Sequence, residues 1–241
     1  MNARLADTGQ GAAALPSHTA AGWLELWYEP WRSMHPAWLD AAMDDTESAD
    51  AAPWLARFRS PGPALRLAYR WFCERFGIDA DLPLPVERLE DLPAPVPLEG
   101  TGLDRAALAL GRVGYASHCL DRAHRELAQL FSPKRGDAPM WCDALRQAKA
   151  RPLLAAGTPP ASAADADLRR WALPLMAGLV EDAMPGAWPR LRLRFAPDLA
   201  MAAPAVPRLQ EPAAALRRQA WRIWRTGGSA PPPSLPSGPC A

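Results

Sequence analysis

Apolar positions recur at helical spacing along most of the chain. From Leu103 the residues Ala106, Leu110, Val113, Ser117, Leu120, His124, Leu127 and Phe131 follow at alternating steps of three and four. That stripe predicts one long helix with a continuous buried face. Thr101 and Asp104 stand at capping-box spacing before it, where side-chain oxygens serve the first unbonded N–H groups. Gly111 and Gly114 lie inside the helix and each weakens it by about 1 kcal/mol relative to alanine, so they are expected to admit the close approach of another helix. Asp121/Arg125 and Arg122/Glu126 form i,i+4 pairs on the solvated side.

Shorter helices are predicted around it. Trp23 and Trp27 lie one turn apart within 20–29, and Pro36 opens a turn carrying Trp38, Leu39 and Met43. An aromatic-rich helix falls in 53–76 and ends at Gly77, a residue suited to a left-handed C-terminal cap. Further helices are read at 139–150, with Trp141 and Leu145, at 162–184, with a kink at Pro174, and at 213–225. One segment breaks the rule. Trp188-Pro-Arg-Leu-Arg-Leu-Arg-Phe195 alternates, with Arg190, Arg192 and Arg194 opposite Leu191, Leu193 and Phe195. Period two predicts a strand. The fold class is therefore mainly α: an irregular multi-helix bundle with one short strand or small β element near 188–195. Residues 1–20 and 226–241 read as disordered ends of a helical domain at 21–225. Five prolines in the stretch 81–100 mark a linker that can divide that domain into two lobes.

Composition narrows the class. The chain has 241 residues, 49% apolar and 22% charged, as in ordinary globular proteins. It carries 27 Lys+Arg against 26 Asp+Glu, a net charge of +1, so no global field steers it onto nucleic acid or anionic lipid. The 28 prolines cut it into short pieces, and the 11 tryptophans suit an irregular core or an interface. Cys73, Cys119, Cys142 and Cys240 show no C-x-x-C spacing. Without a visible signal peptide or spanning segment, four free thiols and a cytoplasmic location are expected.

The search for chemistry returns little. The histidines at 18, 35, 118 and 124 have no metal-ligand spacing, and His124 falls on the apolar stripe as a core residue. His118-Cys119 are adjacent, about 100° apart on a helix, which is wrong for a nucleophile and its base. Gly111-Arg-Val-Gly114 lies within a helix and not after a strand, so it is not a phosphate loop. The acidic run Asp44-Asp45-x-Glu47 lacks the pattern of a calcium loop. No catalytic residue, metal ligand, cofactor or small-molecule substrate is expected. The candidate partner-binding residues are Arg190, Arg192 and Arg194, with Trp221, Arg222 and Trp224 of the C-terminal helix. Guanidinium and indole groups also suit phosphate and base contacts, so a nucleic-acid-binding or regulatory protein using this region stands as the alternative. An effector or chaperone is a third reading.

Three blocks together resemble a known family. They are the aromatic-rich Trp23–Met43, including Trp31-Arg-Ser-Met-His-Pro-Ala-Trp-Leu39; Leu110-Gly-Arg-Val-Gly114, followed by Arg122 and the Leu-rich 127–131; and the helix 168–184 leading into Ala187–Phe195. Their order is similar to that of the SctK/YscK accessory proteins of bacterial type III secretion systems, most of all the Hrp-type versions. The resemblance implies a non-enzymatic protein of the cytoplasmic sorting platform. It would link the SctQ-type pod protein to the SctD-type ring protein at the cytoplasmic face of the inner membrane. The proline-rich linker and the basic C-terminal helix have no place in the family's pattern.

Overall fold

Two buried tryptophans one turn apart set the first helix against the core. In α1 (Ser17–Tyr28), Trp23, Leu26 and Trp27 face inward, while Leu24 and Tyr28 face solvent. The computed structural model describes residues 17–38, 65–89, 100–122, 138–150, 159–200 and 214–228. Pro30 turns the chain into a 3-10 segment, Pro30–Ser33, that brings Trp31 edge-on to Tyr69 and Phe72 of α2 (Leu65–Arg75). A helical turn follows at 37–38, where the Ala37 N–H donates to His35 Nδ1. The remainder of that expected helix, 39–43, lies outside the described residues, as do 53–64 of the next.

Gly77 ends α2 as its sequence predicts. Its φ is +62°, its N–H donates to the Glu74 carbonyl, and the Ile78 N–H donates to the Cys73 carbonyl. This is a complete Schellman motif, with Ile78 buried as the motif's apolar contact.

The long helix is α3 (Gly100–Arg122). Residues 110–117 are buried all round, because α4 (Ala138–Ala150), α5 (Asp165–Ala183) and α8 (Ala214–Gly228) all pack on it. Gly111 makes the crossing with α5 possible: a Cβ there would collide with the backbone carbonyl of Leu168. Gly227 plays the same part for α8, where a Cβ would strike that of Ala109. His124, Leu127 and Phe131 of the expected stripe, and the partners in both i,i+4 pairs, lie outside the described residues.

Helix α5 starts on Asp165 and Asp167, whose charges suit the positive end of the helix dipole. Pro174 is accommodated within it. Glu181 then reaches forward, and its carboxylate accepts from the Gly186 and Trp188 N–H groups at 2.9 and 2.7 Å. That bridge caps α6 (Trp188–Leu191), which runs into a 3-10 turn at Arg192–Arg194 and then α7 (Pro197–Ala200).

The segment 188–195 is therefore helical, and the expected strand is corrected. Among the described residues there is no strand to pair with. Local bonds satisfy the backbone instead: Leu191 N–H to Ala187 O at 2.8 Å and Phe195 N–H to Arg192 O at 3.1 Å. Alternation misleads here because Arg190, Leu191, Leu193, Arg194 and Phe195 are all buried. Arg190 lies inside almost as fully as the leucines do, and Arg194 is buried beside it. The chain is mainly helical, and its buried residues form one continuous core with contributions from both sides of 81–100.

Candidate functional site

The arginine segment binds α1, the end of α2 and the turn before α6 to one another. Arg190 is 1% exposed. Its Nη1 donates to Gly186 O at 2.7 Å, Nη2 to Asp79 O at 2.7 Å, and Nε to Trp27 O at 3.3 Å. Its guanidinium also lies 4.3 Å from the centre of the Trp27 ring. A planar fork with five donors suits this task, since it can satisfy several carbonyls at once. Arg192 donates to Phe76 O, a free carbonyl at the end of α2, and faces Trp38 at 6.0 Å. Arg194 pairs with Glu25 of α1 at 3.7 Å. Two more bonds fasten the same joint: Trp38 Nε1–H to Phe195 O at 2.8 Å and His35 N–H to Leu193 O at 2.8 Å. Arg190 and Arg194 thus point into the protein, and Arg192 is half-buried.

Tyr69 and Cys73 line this joint one turn apart on α2. The Tyr69 hydroxyl donates to Trp27 O at 3.2 Å. Burial pushes both the Tyr69 phenol and the Cys73 thiol above their ordinary pKa values, and burial pushes Arg192 below its own. For the phenol and the thiol the folded state holds its proton at a pH where the unfolded chain has released it. Stability is therefore full below the unfolded values and falls as pH rises from about 9 toward the raised folded values. Thermal unfolding followed from pH 7 to 10.5 should show this fall, and Tyr69→Phe should flatten it. An unchanged alkaline slope in that variant would remove Tyr69 as a cause.

The C-terminal helix buries its aromatic side. Trp221 and Trp224 stack with ring centres 5.0 Å apart and 23° between planes, and Trp224 is fully buried. Arg218 and Arg222 face solvent. Of the six residues singled out from the sequence, Arg222 is the one that is exposed; the others build the interior or its edge.

A concave site lies elsewhere, where α3, α4 and α8 meet. It is a cleft of about 340 Å³ lined by the apolar Leu108, Val113, Ala144 and Ile223 and by the polar Arg105 and Gln147. Arg112 braces one wall. Its Nη2 donates to Asp165 Oδ1 at 3.0 Å, its Nη1 approaches Met140 Sδ at 2.9 Å, and its guanidinium lies 5.8 Å from the Trp141 ring centre. Arg112 is not among the residues that the sequence singles out. The available signal was a lone cation among Leu110, Val113 and Tyr115 in a helix core, where a buried charge needs a partner. Nothing in the spacing pointed to Asp165.

The cysteines depart from expectation. Cys73 and Cys119 are buried thiols, whereas Cys142 of α4, beside this cleft, is disulfide-bonded. The prediction of four free thiols fails at Cys142. Among the described residues no three His, Cys, Asp or Glu side chains are grouped to hold a metal ion, and no helix is long and apolar enough to cross a membrane. No protein-family model, curated protein or solved structure matches the chain.

Proposed function

We propose that this chain is a non-enzymatic assembly adaptor of a type III secretion apparatus. It links an SctQ-type pod protein to an SctD-type ring protein and is held at the cytoplasmic face of the inner membrane through protein contacts alone. One observation carries the reading: the three blocks behind the resemblance pack against one another. Block one meets block three through Trp27 with Arg190, Glu25 with Arg194 and Trp38 with Phe195. Block two meets block three where Gly111 lies against Leu168. Segments far apart in sequence that share one framework support reading the blocks as a unit. Leu24 and Tyr28, one turn apart and each 49% exposed on α1, add an apolar outer face suited to a protein partner. The nucleic-acid alternative draws on Arg218 and Arg222, because Arg190, Arg194, Trp221 and Trp224 lie inside.

The test is purification of the tagged full-length protein from its native bacterium. Recovery of both SctQ-type and SctD-type proteins, together with loss of secretion in a deletion strain, is the expected result. Recovery of neither, with secretion intact in the deletion strain, would overturn the proposal.

A further inference from the structure

We propose that the cleft where α3, α4 and α8 meet is a docking groove for an amphipathic helix of a protein partner, with apolar side chains seated in the cleft and acidic ones on Arg218 and Arg222 of α8. This goes beyond the adaptor reading, and its test does not depend on it.

Shape gives the first argument. Helices α4 and α8 both pack on α3, and each of the three presents one face to the cleft. Leu108, Ala109 and Arg112 follow at helical spacing on α3, and Met140, Ala144 and Gln147 do so on α4. Ile223 and Gly227, one turn apart, come from α8. From Met140 to Gln147 the wall is two turns long, about 10 Å. Two turns of a docked helix bring side chains at i, i+4 and i+7 to one side, the spacing with which helices fill grooves. Met140 is 50% exposed on that wall, and a flexible thioether adapts to side chains of varied shape.

Charge names the occupant. Helix α8 holds four arginines and no acidic residue. Arg218 and Arg222 are exposed and one turn apart, so like charges stand about 5–6 Å from one another at the Cβ level and repel. Elsewhere on the surface Arg32, Arg70, Arg146 and Arg170 pair with Glu29, Asp81, Asp143 and Asp167. No such pair reaches Arg218 or Arg222 among the described residues. Arg222 stands one turn before Thr226, which lines the cleft, so the unbalanced charge borders the groove. The charges within the cleft do not compete for it: Asp143 is held by Arg146 at 2.6 Å and Arg112 by Asp165 at 3.0 Å. Two carboxylates one turn apart on a docked helix match the arginine pair in spacing and sign. Nucleic acid fits less well, because Trp221 and Trp224 are buried and offer no ring for base stacking. A bilayer fits less well too, because the apolar face of α8 lies in the core and not outside.

The experiment selects binders of the full-length protein at low salt from a displayed library of helical peptides, apolar at i, i+4 and i+7 and randomised elsewhere. The expected winners carry Glu or Asp one turn apart beside the apolar positions. A synthetic copy of the best one should bind at least tenfold more weakly to the double variant Arg218→Glu, Arg222→Glu, and as much more weakly to Met140→Asp. Added salt should weaken it further. All three side chains are exposed, and circular dichroism checks that the variants keep their helices. Enrichment of no sequence, as when another segment of the chain or a second copy fills the groove, would overturn the proposal. Winners that are basic or uncharged would overturn the acidic partner, and binding untouched by Met140→Asp would overturn the groove. Tight binding of a short DNA duplex that the double variant abolishes would assign the arginines to nucleic acid instead.

Discussion

Arg190→Ala is expected to destabilise the protein by about 3–5 kcal/mol, from two buried carbonyls left without a donor and the loss of a cation–ring contact. The arginine answers three carbonyls from three places in the chain: Trp27, Asp79 and Gly186. Trp27 O keeps the Tyr69 hydroxyl after the change. The Asp79 and Gly186 carbonyls lose a short bond each, and a buried acceptor left alone costs about 1–3 kcal/mol. Loss of the stack on Trp27 adds to this. Arg190→Met keeps much of the stem and fills the space, so it separates packing from hydrogen bonding. Arg190→Lys keeps the charge but not the fork, and should recover part of the loss. Urea unfolding of the three variants measures the series. A loss below about 1 kcal/mol for Arg190→Ala would show that these bonds form no more than a surface-like contact.

Arg190 also explains where sequence reading failed. Binary patterning treats arginine as an outside residue, so Arg-Leu alternation over 190–195 reads as period two. The physical error lies in that assumption. A guanidinium can lie inside when backbone carbonyls converge on it, and the carbonyls that do so come from residues 27, 79 and 186. No local window contains them. The same long-range dependence hides Arg112, whose partner Asp165 is 53 residues away. The features that were legible are set by near neighbours. Gly77 caps α2 because a left-handed residue is needed one turn after Cys73 and Glu74. The stripe of α3 is legible because it is set by helical spacing within one element, onto which α4, α5 and α8 pack. The C-terminal helix is legible as a helix, but the burial of its tryptophans is not: the sequence makes them candidates for partner binding, and the structure places them in the core. Indole groups suit both situations equally, and spacing alone does not choose between them.

Gly111 offers the second large effect, and its sign is the informative part. In an exposed helix, glycine to alanine stabilises by about 1 kcal/mol. At Gly111 the added Cβ would collide with the carbonyl carbon and oxygen of Leu168. That neighbour is the backbone of α5, not the end of a flexible side chain, so it cannot turn aside. The two helices must part, or α5 must bend where its first turns begin. Gly111→Ala is therefore expected to destabilise by about 1–3 kcal/mol, as overpacking does, and Gly111→Val by more. Gly100 supplies the control in the same helix, because a Cβ there meets Arg194 O at an ordinary 3.5 Å. Gly100→Ala should be neutral or mildly stabilising. Parting α3 from α5 also moves Arg112, the next residue, away from Asp165, three residues before Leu168. One crossing thus sets both the core and the braced wall of the cleft. Thermal unfolding of the two alanine variants decides the matter: if Gly111→Ala raises the midpoint as Gly100→Ala does, the close approach of α3 and α5 is wrong.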